Sequence, residues 1–335
     1  MSYQPCTALI TGGCGFIGSN FINYVFEKWP TTCFVNVDKM RDGVSETNIA
    51  EKIRHSNRYK LFKRTIRDAD LLLSVFSKYQ VDTVIHFAAL THVDESFNDR
   101  MGTIEENIMS MTILLETITF RFSGIKRFIH ISTDEVYGES KENSLPKSEY
   151  SVLNPTNPYA ASKASCEMIL NAYWHSYKIP FITVRMNNVY GPNQSGLNLI
   201  PKFITLAVEN KPFPLMGDGM HKRNWIHVND CADAIKRVCE MGKIGDIYNI
   251  GTDFEITNYD VTLLIHQTVN ELLQREMSEP KFETIIDRPY HDRQYCIDFI
   301  KISQELNWKA IIEFRDGLRS TVEHYVEQYF KKYAD

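Results

Sequence analysis

The stretch TALITGGCGFIG (residues 7–18) decides the fold. Thr7–Thr11 is apolar and β-prone, and it runs into Gly12-Gly13-Cys14-Gly15-Phe16-Ile17-Gly18, a G-x-x-G-x-x-G turn that opens a helical pattern over Gly15–Lys28. The same alternation recurs downstream. Strands are predicted at Cys33–Asp38, Tyr59–Thr65, Thr83–Ala88, Arg127–Thr133 and Phe181–Asn187, with helices at Ala69–Tyr79, Thr103–Arg121 and Pro158–Tyr177 between them. Strands alternating with helices imply a parallel sheet covered on both faces, and right-handed crossovers make it an α/β doubly wound sheet. After Asn188 the rhythm loosens, with Gly, Pro and Asn gathered in Gly191–Gly196 and Pro212–Gly219. Strand Arg223–Val228, helix Asp230–Met241 and strand Asp246–Ile250 still resemble the first half. The expected division is a sheet domain over 1–187 with a segment returning at about 223–251. A smaller C-terminal α/β lobe would be built from 188–222 and 252–335, ending in an amphipathic helix near Arg315–Tyr333.

With 335 residues the chain can bury a large core, and its 43% hydrophobic and 24% charged residues are ordinary for a globular protein. A net charge of −5 gives no global signal for nucleic acid. The basic run Lys52–Arg67 reads as a solvated face rather than an anion site. The seven cysteines form no C-x-x-C pair and read as free thiols of a reducing compartment. The start carries no basic segment ahead of an apolar core, and no apolar run is long enough to span a bilayer. These features predict a cytoplasmic location, no membrane association and no metal site.

The glycine turn lets backbone N–H groups approach a pyrophosphate, with the helix N-terminus adding positive partial charge. Asp38, ending the second strand, is placed to accept hydrogen bonds from a ribose and to repel a 2′-phosphate, which favours NAD over NADP. Candidate cofactor contacts are Gly12, Gly15, Phe16, Ile17, Gly18, Asp38, Ile66, Ala88 and Ala89. The small residues of His86-Phe87-Ala88-Ala89 either let backbone pass close to the cofactor or simply aid packing.

A second cluster carries acid–base chemistry. Thr133-Asp134-Glu135 falls where an apolar strand stops. Asn157 and Pro158 read as the N-cap and first residue of a helix, which puts Tyr159 and Lys163 four apart on one face. A nearby ammonium and the ribose hydroxyls of a bound cofactor favour phenolate, so Tyr159 is expected to have a lowered pKa. The two acids either cap the following turn or act as an acid and a base with split pKa values.

These strings resemble the extended short-chain dehydrogenase/reductases, and within them the nucleoside-diphosphate-glucose 4,6-dehydratases. The resemblance rests on TGGCGFIG (11–18), HFAALTHVDESF (86–97), STDEVYGE (132–139), NPYAASKA (157–164), NNVYGP (187–192), RNWIHVND (223–230), YNIGT (248–252) and DRPYHDRQY (287–295), spread over nearly the whole chain. It implies a Rossmann domain, bound NAD, and a cycle in which C4 of a sugar is oxidised, water is lost across C5 and C6, and C6 is reduced. Tyr159 would be the base for the C4 hydroxyl, and Thr133 would hydrogen-bond the C4 oxygen. Lys163 would hold the nicotinamide ribose and keep the phenol acidic, both Tyr159 and Lys163 thus binding the cofactor. Glu135 would take the C5 proton, and Asp134 would protonate the departing C6 hydroxyl. Thr91, Asn188, Arg223, Asn249, Arg288 and His291 would contact the nucleoside-diphosphate-glucose. The helices Thr103–Arg121 and Pro158–Tyr177 would form a homodimer interface, which a monomeric mass in dilute solution would contradict.

The chain departs from the family in two places. Asn198 stands where the family has a diphosphate-binding lysine, with Lys202 as a candidate replacement, and Thr65 stands where an acid usually meets the adenine. Alternative activities are a 4-epimerase or decarboxylase, which need only the Tyr–Lys pair, or a silent NAD(H)-binding scaffold. NNVYGPNQ (187–194) and IHISTDEVYGE (129–139) resemble the dehydratase part of plant rhamnose synthases, which leans the expected substrate toward UDP-glucose over dTDP-glucose.

Overall fold

The chain opens with β1 (Thr7–Thr11), α1 (Phe16–Val25), β2 (Cys33–Asp38), α2 (Glu51–Arg54), β3 (Tyr59–Lys63), α3 (Ala69–Tyr79) and β4 (Thr83–His86). It continues through α4 (Val93–Asn98), α5 (Arg100–Glu116), β5 (Arg127–Ile131), α6 (Pro158–Tyr177) and β6 (Phe181–Met186). This computed structural model describes residues 2–41, 43–276 and 278–332. The end of the last predicted helix, Tyr333, lies outside them.

Six of these strands and a later one, β10, form a seven-stranded parallel sheet in the order β10-β6-β5-β4-β1-β2-β3. Alternate residues of one strand enter opposite cores. Ala8 and Ile10 of β1 pack under α1, whereas Leu9 packs with α3, α5 and α6 on the other face. Burial on both faces is why these strands read as near-continuous apolar runs. Each fully buried Leu or Ile contributes about 1.5–3 kcal/mol relative to exposure.

Four predicted strands end one or two residues earlier than expected, at Lys63, His86, Ile131 and Met186. The residues just past those ends, among them Thr65, Ala88, Thr133 and Asn187, line the large cavity described below. They leave the hydrogen-bonded ladder and turn toward the crevice that a doubly wound sheet opens at the carboxyl ends of its strands.

Beyond β6 the chain forms β7 (Asn188–Tyr190), α7 (Leu199–Val208), β8 (Phe213–Met216), β9 (Lys222–His227), α8 (Val228–Met241) and β10 (Asp246–Ile250). It ends with β11 (Glu255–Thr257), α9 (Asn258–Leu272), β12 (Phe282–Ile285), α10 (Ile300–Leu306) and α11 (Phe314–Lys332). The expected returning segment divides in two. β10 pairs with β6 in the main sheet, and α8 packs beside α1. β9 instead pairs with β7 and β11 in a separate three-stranded sheet. β7 follows β6 after one residue and leads off the sheet, so it offers β9 a partner there while β10 takes the vacant edge of β6. Helices α7, α9 and α11 close this smaller lobe around Ile200, Phe203, Val261, Leu318 and Val322. No helix among the described residues is long and apolar enough to cross a membrane. On α5 and α6, Met101 and Met168 project outward and are exposed.

Candidate active site

One cavity of about 950 Å³ runs across the carboxyl ends of the strands and under the smaller lobe. It begins at the glycine turn. Gly12 sits at φ +70°, and a Cβ there would meet the backbone of Ala88 at 2.8 Å. A Cβ on Gly18 would meet the Gly12 carbonyl oxygen at 2.5 Å. The turn therefore needs glycine, and Ala88 is small because β1 and β4 converge there. The first turn of α1 has no acidic residue and no side-chain cap, so its N–H groups face the cavity unclaimed. Asp38 Oδ2 accepts from Cys14 N (2.9 Å) and Oδ1 from Met40 N (2.8 Å), which aims the carboxylate from the end of β2. Gly12, Gly15, Phe16, Ile17, Gly18, Asp38, Ile66, Ala88, Ala89 and Thr65 all line this end.

In the middle lie Thr133, Glu135, Tyr159 and Lys163. Thr133 caps a short 3₁₀ turn over Asp134–Tyr137, its Oγ1 accepting from Glu135 N. The turn is therefore capped by the threonine, leaving both carboxyls for other partners. Asn157 caps α6 through Oδ1 and donates its Nδ2 to Glu135 Oε2 at 2.9 Å, tying the helix that bears Tyr159 to the acid loop. Lys163, 3% exposed, donates to the Ile131 carbonyl at 2.5 Å.

The expected lowering of the Tyr159 pKa is not found in the protein alone. Burial, reinforced by the charges of Glu135 and Asp134, pushes the phenol up, against a hydrogen bond from Thr133. Burial also pulls the Lys163 ammonium down. Desolvation disfavours the charged form of each group, so a more acidic phenol has to come with the ligands that fill the cavity.

Asp134 lies behind Glu135, 3% exposed and outside the cavity lining. Its Oδ2 accepts from Asn187 Nδ2 at 2.9 Å and its Oδ1 from Thr133 Oγ1 at 3.4 Å. Burial first, and the Glu135 charge after it, push this carboxyl up to about 7. Burial raises Glu135 as well, opposed by Asn157 and by the cations Arg223 and Arg288.

The far end is cationic. Arg223 from β9 lies with its guanidinium 4.9 Å from the centroid of the Tyr295 ring. Arg288 is held by Asp94 of α4, Nε to Oδ1 at 2.6 Å, so the two lobes are bridged across the cavity mouth. His291 stacks on His221 with ring centroids 3.6 Å apart, and its Nδ1 lies 2.7 Å from Asp287 Oδ1. Burial and the nearby arginines hold the His291 imidazole down at about 4, so it meets a ligand as a neutral group at neutral pH. The ligating atoms of His221, Asp287 and His291 lie within 4.8 Å of one another. The rings are only 11° from parallel, however, and in-plane lone pairs on stacked rings cannot converge on one ion. Asp287 is better described as a carboxylate shared by two imidazoles. Thr91, Asn188, Asn198 and Lys202 complete the lining, with Lys202 exposed on the first turn of α7.

Asn249 requires a correction. It is fully buried in β10, outside the cavity lining; its Nδ2 donates to the Lys147 and Asp298 carbonyls, and its Oδ1 accepts from Tyr137. With its amide committed to three internal bonds, it braces the 3₁₀ turn from behind and does not contact a nucleotide.

Sequence reasoning missed several residues. Asn107, buried in α5, accepts from Leu90 N at 2.7 Å and donates to Ser162 Oγ at 2.8 Å, so it pins the loop after β4 to α6. Arg185 and Glu167 form a buried ion pair, and Ser132 donates to Glu167 at 2.5 Å. The ion pair locks α6 to β6, and the serine ties it to the end of β5. Tyr295 reaches Glu135 from the smaller lobe, with Asp292 bonded behind it. The available signal was a polar residue inside an apolar helical or strand pattern, which marks a buried partner without saying which one.

The GDP-mannose 4,6 dehydratase family model matches residues 9–321. The chain is 40% identical over 328 residues to a trifunctional UDP-glucose 4,6-dehydratase/UDP-4-keto-6-deoxy-D-glucose 3,5-epimerase/UDP-4-keto-L-rhamnose-reductase of Arabidopsis thaliana, covering 97% of this chain but 48% of that protein. It thus spans about half the length of that plant relative. It is 39% identical to the dTDP-glucose 4,6-dehydratase of Salmonella typhimurium, over 95% of this chain and 92% of the other. A crystal structure of dTDP-glucose 4,6-dehydratase from Streptomyces venezuelae with NAD bound superposes with a TM-score of 0.89 at 34% identity, over 97% and 98% of the two chains. The chain belongs to the nucleoside-diphosphate-glucose 4,6-dehydratase family of the extended short-chain dehydrogenase/reductases.

Proposed function

We propose that this protein is a nucleoside-diphosphate-glucose 4,6-dehydratase that uses tightly held NAD and releases the 4-keto-6-deoxy sugar nucleotide. The observation that carries the proposal is the single cavity. It joins the glycine turn and Asp38, the Thr133–Glu135–Tyr159–Lys163 group, and the cations Arg223 and Arg288. The glycine turn, the uncapped start of α1 and the Asp38 carboxylate fit a dinucleotide, since a Cβ at Gly12 or Gly18 would collide with backbone. NAD bound there supplies the hydride acceptor and donor.

The chain's own residues manage protons around that chemistry. Tyr159 takes the C4 hydroxyl proton, with Thr133 beside it, and Lys163 holds positive charge close to the phenol. Once C4 is a ketone the C5 proton becomes acidic, and Glu135, open to the cavity, removes it. Asp134, raised by burial to about 7, keeps a substantial protonated fraction at neutral pH. Because it lies behind the cavity wall, its proton reaches the departing C6 hydroxyl through the Thr133 hydroxyl that bonds its Oδ1. An epimerase or decarboxylase of the same superfamily has no use for this acid pair, and a silent scaffold has no use for any of the four groups.

Two expected results follow. Incubation with UDP-glucose and dTDP-glucose in parallel should give a product lighter by one water from at least one of them; a product of unchanged mass would indicate an epimerase instead. The lean remains toward UDP-glucose on the strings NNVYGPNQ and IHISTDEVYGE, while a ring methyl is worth only about 1 kcal/mol in an apolar pocket, so both substrates can be accepted. A dTDP preference above roughly tenfold would reverse that lean. The second result concerns pH. Asp134 donates only while protonated and Glu135 accepts only while ionised. The water-eliminating step should therefore slow as pH rises through about 7 and fall again in acid as Glu135, itself raised by burial, becomes protonated. A step rate flat from about pH 6 to about pH 9 would remove Asp134 from that role.

A further inference from the structure

Tyr295 stands between two carboxylates. Its hydroxyl donates to Asp292 Oδ2 at 2.6 Å and lies 3.5 Å from Glu135 Oε2. One hydroxyl proton cannot serve both acceptors at once. Asp292 is 2% exposed, and its Oδ2 also accepts from Thr156 Oγ1 at 2.6 Å, while its buried Oδ1 has no hydrogen-bond partner among the described residues. Glu135 Oε2, in turn, is held by Asn157 at 2.9 Å with its edge toward Tyr295. The line Glu135–Tyr295–Asp292–Thr156 leads from the cavity wall to a half-buried hydroxyl, and its outer two members lie outside the cavity lining.

We propose that Tyr295 and Asp292 form a proton relay for Glu135. The inference rests on the function proposed above, with Glu135 as the base at C5. The C5–H bond breaks and its proton joins Glu135 Oε2. The electron pair left at C5 forms the C5–C6 double bond as the C6–O bond breaks, and the C6 oxygen departs as water with the proton from Asp134. The Glu135 proton then moves to Tyr295 Oη while the Tyr295 proton moves to Asp292, leaving Glu135 ionised, Tyr295 neutral and Asp292 a neutral acid. No electron transfer is involved, and the same hops in reverse return a proton to C5. The concerted shift never requires a free phenolate. Because the proton parked on Asp292 can exchange outward through Thr156, the hydrogen restored at C5 is solvent-derived.

The test is the deuterium content at C5 of product formed in D₂O by the NAD-loaded enzyme, read by mass spectrometry and NMR. Deuterium per product molecule does not depend on how much enzyme is folded. Wild type is expected to place solvent deuterium at C5. Tyr295→Phe keeps the ring beside Arg223 but removes the relay, and the deuterium fraction should fall roughly tenfold as Glu135 hands back the proton it took. Asp292→Asn, which keeps the shape of the site, should do the same. Wild-type deuterium content in both variants would overturn the relay. So would a wild-type product that has lost water yet carries no deuterium at C5. If wild type eliminates no water at all, the functional reading fails first, and the relay fails with it.

Discussion

Tyr159→Phe is expected to leave the bound cofactor oxidised when substrate is added, with turnover lowered by roughly 10²–10⁴-fold. That factor corresponds to about 3–5 kcal/mol of barrier. The phenol lines the cavity with Thr133 and Glu135, and in the proposed cycle it takes the proton as C4 is oxidised. Phenylalanine preserves the buried ring and its helix position. The stability cost should be about 1 kcal/mol, the usual net value of one lost hydrogen bond. Substrate binding through Arg223 and Arg288 should persist, so the defect belongs in the first turnover and not in affinity. Stopped-flow absorbance of reduced cofactor checks this, and a wild-type burst would show that another group takes the C4 proton.

Glu135→Gln should give the opposite signature: cofactor reduction in the first turnover, followed by a stall with reduced cofactor trapped. Glutamine matches the shape of glutamate and still offers an oxygen to Asn157 Nδ2, so the cap of α6 stays in place. It also lacks the charge whose burial is unfavourable at this site. What it cannot do is accept the C5 proton, so water loss should fall by roughly 10²–10⁴-fold. Absence of cofactor reduction in this variant would place Glu135 before or within C4 oxidation and overturn the order of steps. Read together, the two variants separate the redox half of the cycle from the elimination half.

Much of the site was legible because its parts are local. G-x-x-G-x-x-G between a strand and a helix constrains backbone whatever surrounds it, and Tyr159 and Lys163 share a helix face by spacing alone. Asp38 at the end of β2 is equally local. The failures have physical causes. Asn249 fitted a family string, yet its amide is consumed by three internal hydrogen bonds, which only the packing of residues 137, 147 and 298 around β10 decides. The tyrosine was expected to be acidic beside a lysine and a bound ribose, and in the protein alone burial outweighs the ammonium, whose own pKa burial lowers. Strand β9 followed the periodicity of a main-sheet strand and yet joined another sheet, because periodicity reports which faces are buried and not which strand lies alongside.

The sequence by itself determined the doubly wound class, the glycine turn, the Tyr159–Lys163 helix face and the position of the acid pair at a strand end, since periods of 2 and 3.6 and turn chemistry act over a few residues. Tertiary structure alone decided that Tyr295, backed by Asp292, lies against Glu135, that Arg288 bridges to Asp94, and that burial raises the Asp134 carboxyl to about 7. Those outcomes depend on which distant segments meet and how much water they exclude. A carboxyl takes its protonation state from that surrounding volume rather than from its neighbours in the chain.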